Sequence, residues 1–173
     1  MGSAARDDQP FVDTELSDID QEFSGEIFIP IMNRYLSCII RWYELRSPAT
    51  TPVLYQQGTF NPNATFRWMG SAAMDKLGNI AIGYSTSSSN VAPGIGYATR
   101  APGDTLGALS NETAVVTGSG VQTGTLHRRG DYSSMVVDPV NDCTFWYTNE
   151  YQKTDGSFNW NTYINSFKVT TCQ

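Results

Sequence analysis

Arg41, Arg67, Arg128 and Arg129, with Glu150 beside Tyr147 and Tyr151 and the acid Asp131, are the side chains in this sequence that could do covalent chemistry. An arginine cluster grips a carboxylate bidentately. A tyrosine activated by a glutamate can act as nucleophile, and an aspartic acid can protonate a leaving group, as in hydrolysis of an acidic glycoside. No spacing singles these residues out. The four tryptophans, Trp42, Trp68, Trp146 and Trp160, suit a different role, as flat platforms on which a sugar stacks without turnover. Trp68 and Trp146 are read as core between sheets, and Trp160, in the polar stretch Ser157-Phe158-Asn159-Trp160-Asn161, is open to either role. Trp160, Arg67, Asp131, Tyr132 and Glu150 are therefore the candidate ligand-binding set. Catalytic residues are not assigned.

Other groups read as framework. Arg129-Gly130-Asp131 spells the integrin-binding tripeptide, but three-residue matches are common and this one is taken as structural. Asp138, Asn141 and Asp142 offer oxygens to Ca²⁺ but lack the ligand count of a known loop, so a hydrogen-bonded turn is expected. His127 has no nucleophile to serve. No metal site and no cofactor are expected.

The elements that must carry these residues repeat. Ser71 to Ser85 aligns without a gap on Ser134 to Thr148, at an offset of 63 residues. In each copy a serine lies four before an aspartate, and a tyrosine nine after it. A repeat of this size marks an array of similar supersecondary units. Asp75-Lys76-Leu77-Gly78 and Asp138-Pro139-Val140-Asn141 are the turns, in which the carboxylate accepts a backbone N–H two residues on and Gly78 supplies a positive φ. Asp75, Gly78, Asp138 and Asn141 are thus structural. After the first turn, Ile80, Ile82 and Tyr84 point one way and Ala81 and Gly83 the other. A strand apolar on both faces is a central one, and its small side lets a neighbouring sheet come close. Ser85 to Gly94 reads as a polar loop, and Asp104 to Thr113 as room for a single helical turn. Each unit needs about four short strands, the make-up of a propeller blade.

The net charge of −6 is misleading as a global property. Eight of the seventeen acids lie in residues 1–26, and the remainder is near neutral. A nucleic-acid binder, which needs a basic stripe, is therefore not expected. Residues 1–26 read as an acidic, poorly ordered leader. They lack a basic segment followed by an apolar one, so no signal peptide is read there, and no apolar run is long enough for a membrane span. The chain is then cytosolic, or the start of a longer secreted protein is missing. Cys38, Cys143 and Cys172 form no CxxC pair. A Cys143–Cys172 disulfide would tie the last strand to its neighbour and contribute roughly 3.5 kcal/mol. The alternative is two small buried thiols.

Trp68-Met69-Gly70-Ser71-Ala72-Ala73-Met74-Asp75, Gly78 to Ser85, Gly130-Asp131-Tyr132-Ser133-Ser134-Met135 and Val137-Asp138-Pro139 through Tyr151 resemble the C-terminal part of large secreted bacterial proteins described as sialidase-like (BNR-type) β-propeller repeat proteins. The ending Ser166-Phe167-Lys168 and Cys172 fits the same pattern. The likeness covers about residues 40–173 and departs at Arg129, where the family usually has Trp. It implies an all-β partial β-propeller: two four-stranded antiparallel blades plus part of a third, over residues 27–173, with repeats near 53–103 and 120–173. It implies secretion and a non-catalytic binding or scaffold module, with carbohydrate or the missing blades of a longer chain as partner. The alternative it implies is a sialidase-type hydrolase fragment. A closed propeller needs about four to eight blades, so exposed blade faces would allow self-association.

Overall fold

The computed structural model describes the backbone of residues 27–28 and 31–32, and residues 38–123 and 132–172 in full. The leader, His127, Arg128, Arg129 and Asp131 lie outside the described residues. Eleven strands and no helix are present among those described. All strand pairs are antiparallel, in three sheets.

In the first sheet β3 (Ile40–Arg46) is central. The short strands β1 (Ile27–Phe28) and β2 (Ile31–Met32) run along one edge of it, and β4 (Val53–Phe60) along the other. The second sheet has the order β5 (Phe66–Met74), β6 (Ile80–Ser88), β7 (Val91–Arg100), β8 (Thr113–Val116). The third has the order β9 (Ser134–Val137), β10 (Thr144–Gln152), β11 (Trp160–Lys168).

The all-β, antiparallel expectation holds, and the strand count needs correcting. The first and second sheets have four strands each, the sheet of the second repeat has three, and the sheets are open rather than closed into a ring. β4, which opens the expected 53–103 repeat, pairs with β3 in the first sheet. The segment Ser85 to Gly94 is a hairpin rather than a loop. Thr86 faces Gly94 and Ser88 faces Val91, and the Ser88 hydroxyl accepts from the Asn90 amide at 3.2 Å. Polarity suggested a loop there, but hydroxyl side chains tolerate the pleat and the turn itself is tight. Asp104 to Thr113 holds turns and no helix.

The second sheet is the middle layer, and its two faces are those expected of β6. Ile80, Ile82, Tyr84 and Ala98 pack with Ile40, Trp42 and Phe60 of the first sheet. Ala81 and Ile95 pack with Met135, Phe145 and Tyr147 of the third. Gly83 sits against the Tyr147 ring, and a Cβ there would collide with it. Ser71, one of the two repeat serines, and Ser133, the residue before the other, bridge the second and third sheets. Ser71 Oγ accepts from the Met135 amide at 2.9 Å, and Ser133 Oγ donates to the Met69 carbonyl at 2.9 Å.

The repeat holds through the strands that lead into the two corners and slips across the corners themselves. Met74 pairs with Ile80, whereas Val137 pairs with Phe145, so the second turn is two residues longer. Tyr147 therefore occupies the register of Ile82, not that of Tyr84 as the gapless alignment has it. A slip of two keeps every side chain on its face, so packing survives it. The first corner closes with the Gly78 amide on the Asp75 carbonyl at 2.9 Å, Gly78 having φ +81°. The second closes with the Asp142 amide on the Asp138 carbonyl at 2.8 Å. Cys143 and Cys172 form a disulfide, with Cα atoms 5.5 Å apart, fastening the segment after β11 to this corner. Cys38 is free.

Candidate functional site

Side chains of β10 alternate between the sheet's two faces. Phe145, Tyr147 and Asn149 turn toward the second sheet and are buried. Trp146, Thr148 and Glu150 turn outward. Trp146 lies opposite Val136 of β9 and Ser166 of β11, Thr148 opposite Ile164, Glu150 opposite Thr162, and Gln152 opposite Trp160. This outer face holds a row of large apolar groups in water: Val136 is 50 % exposed, Trp146 42 % and Ile164 65 %. Trp146 is thus not the core residue expected. Its indole N–H reaches the Asp138 carboxylate at 3.1 Å. Trp68 is half-buried.

Two of the candidate ligand-binding residues, Glu150 and Trp160, share this face. Trp160 meets Phe158 edge-on, with ring centroids 5.8 Å apart, and Phe158 is more exposed still. The loop beneath them is built from short contacts. Asn159 donates to Thr154 Oγ1 at 2.5 Å and to the Asp155 carbonyl at 3.1 Å, and the Asp155 carboxylate accepts from the Val121 amide.

The other candidates are elsewhere. Tyr132 is almost fully exposed just ahead of β9. Arg67, at the start of β5, is completely buried. Its guanidinium donates to Glu112 at 2.6 Å, to the Thr65 carbonyl at 2.6 Å and to the Asn63 side chain at 3.0 Å, near the rings of Phe60 and Tyr84. That buried setting ties Arg67 to Asn63 and Thr65 just before it and to Glu112, and leaves no open face for a ligand carboxylate. Arg41 lies on the outer face of the first sheet, bonded to Thr59 Oγ1 at 2.8 Å and to Gln57.

No nucleophilic tyrosine is assembled among the described residues. Tyr147 is buried and its hydroxyl accepts from Asn149 at 2.8 Å. Burial pushes its phenol well above the usual value, against the lowering effect of Ser133 and Asn149. Glu150 points to the opposite face from both Tyr147 and Tyr151. Tyr84 does sit near Glu112 and Arg67, but burial first, and then the Glu112 charge, push its phenol up as well. A nucleophile needs the reverse shift and access to substrate.

The two corners differ in setting. Asp75 is buried and accepts from the Leu77 amide at 2.9 Å, the Asn79 amide at 2.9 Å and the Asn79 side chain at 2.7 Å. Asp138 is half-buried and accepts from the Val140 amide at 2.8 Å as well as from Trp146. Asn141 Oδ1 accepts from the Cys143 and Thr144 amides, both at 2.8 Å. These oxygens are bonded within the turn.

No family model, curated protein or solved structure matches this chain.

What sequence reasoning missed is the outer face of the third sheet. The alternation Phe145, Trp146, Tyr147 puts aromatic groups on both sides of β10, so periodicity could not say which side is covered. The signal lay in β11, where the outward positions on either side of Ile164 are the polar Thr162 and Ser166, so that Ile164 is an apolar group with no core partner on that face.

Proposed function

We propose that this chain is a non-catalytic binding or scaffold module, extracellular, built of stacked blade-like sheets and extended through the outer face of its third sheet. The observation that carries this is the uncovered row Val136, Trp146 and Ile164. The face of the first sheet that bears Trp42 is covered by the second sheet, and the face of the second that bears Ala81 is covered by the third. On the corresponding face of the third, which bears Trp146, Gln152 is buried at one end but Val136, Trp146 and Ile164 are exposed. The natural occupant is a further antiparallel sheet of the same kind, from a second copy or from more of the same polypeptide. Stacked repeats bury their apolar faces in this way, each against its neighbour. The Cys143–Cys172 disulfide favours an oxidising compartment. The exposed Phe158–Trp160 pair beside this face makes carbohydrate a second ligand of the module, by ring stacking.

Sedimentation velocity of the full chain tests the docking face. The expected result is concentration-dependent association that is lost in Ile164→Lys and Val136→Lys, both at exposed positions. A monomer at every concentration would contradict it. Turnover of a synthetic sialoside separates this reading from a sialidase-type hydrolase, for which product must form.

A further inference from the structure

Between the first and second sheets, at the end bearing the Asp75 corner, lies a cleft of about 300 Å³. That is the lower end of the range for small-molecule sites. Its charged lining is Arg46, Lys76 and Arg100 against Glu44 and Asp75. Both carboxylates are already consumed. Glu44, buried, accepts from Arg46 at 2.9 Å and from Gln56, and Asp75 is held by the three bonds described above. Two of the cations have only neutral partners. Lys76 donates to the Asn141 carbonyl at 2.9 Å. Arg100 is 97 % buried and donates to the Asp104 carbonyl at 3.0 Å, while its Nε–H has no acceptor. A buried guanidinium N–H left unpaired is costly, and an anion entering the cleft would offset that cost.

The charges fix the class of guest. Three cations against two carboxylates leave one positive charge, which suits a monoanion better than a phosphate or sulfate. The rest of the wall is apolar: Tyr55, whose ring carries the Arg46 guanidinium 3.3 Å from its centroid, with Met74, Leu77 and Pro102. We infer that this cleft binds a small ring-borne monocarboxylate, its carboxylate held by Arg100 and Lys76 and its ring lying against the Leu77 and Pro102 side. The cleft is separate from the outer face of the third sheet, so this inference stands or falls independently of the docking reading.

The test is a titration of the full chain with benzoate and with D-glucuronate, followed by the amide NMR signals of Lys76 and Gly78. Methyl benzoate and sulfate serve as neutral and dianionic comparisons. The expected result is saturable shifts with at least one of the two carboxylates, and none with the ester. Binding should fall about tenfold in Lys76→Gln and below detection in Arg100→Gln, and be unchanged in Arg41→Gln, on the far face of the first sheet. Lys76→Gln removes an exposed charge and carries the test should Arg100→Gln fail to fold. Absence of saturable shifts with both carboxylates, equal binding of the ester or of sulfate, or undiminished binding by a folded Lys76→Gln would overturn it.

Discussion

The first and third sheets end the stack in opposite ways. On the outer face of the first, Arg41 lies over the Tyr43 ring and bonds sideways to Thr59 and Gln57, so polar groups satisfy one another along the surface. Among the residues whose side chains are described, apolar exposure in this sheet is confined to the Val53–Tyr55 end of β4, and Arg46 lies over Tyr55. On the outer face of the third, Val136, Trp146 and Ile164 meet water directly. A terminal repeat of a stacked protein needs a polar outer face to stay soluble. In the proposed reading the first sheet is such a terminus and the third an interior layer, and the exposed row of the third marks the proposed docking face.

The largest test of that contrast compares two indoles. Trp42 and Trp146 both sit on the forward face of a central strand, one covered and one not. Trp42→Ala should cost about 3–5 kcal/mol, as large-to-small changes in a packed core do. Trp146→Ala should cost less than about 1 kcal/mol in the dilute monomer. Denaturant unfolding of both variants measures this, and equal losses would mean that the Trp146 face is not open.

Next in size is the disulfide. Replacing Cys143 and Cys172 by Ser should cost about 3.5 kcal/mol, by the loop-closure argument for a separation of 29 residues. Hydrogen exchange should quicken in β10 and β11 while β3 and β4 keep their protection. Uniform loosening would show that the third sheet is not held separately. A smaller effect is expected at the polar end. Arg41→Leu should change stability by under about 1 kcal/mol, as surface substitutions do, yet promote self-association by giving the stack a second apolar terminus. Light scattering reads that gain, and its absence would show that the Arg41 network does not act as a cap.

The smallest effect is one of pH. The Val140 amide, then the Trp146 indole, hold the Asp138 carboxyl below its usual value of 3.8. A depressed acid contributes stability that is present above the unfolded value and is lost as pH falls through the folded one. The Trp146 indole N–H resonance should therefore titrate with a midpoint below 3.8, while that of Trp42 does not follow it. A midpoint at or above the ordinary value would remove Asp138 as its partner.

Much of the middle layer was legible. Large and small residues alternate from Ile80 to Tyr84, and the alternation told which faces would be covered and how closely. The Asp75 and Asp138 turns followed from side-chain chemistry within a few residues. The two-residue slip after Asp138 was not legible, because Pro139 and Asn141 allow either turn length and a slip of two leaves the pattern unchanged. Arg67 looked like a free ligand group because its partner Glu112 is 45 residues away, on the far side of β7. Nor could sequence tell Trp146 from Trp42. Both stand in aromatic strands, and only the order of the sheets separates them.

The most direct measurement is iodide quenching of the chain carrying Trp68→Phe and Trp160→Phe, which leaves Trp42 and Trp146 as its indoles, followed from dilute to concentrated protein. The account predicts one shielded and one quenchable indole in dilute solution, with the quenchable one becoming shielded as the chains associate. Two shielded indoles in the dilute monomer, or an accessible one that stays accessible at the highest concentration, would contradict it.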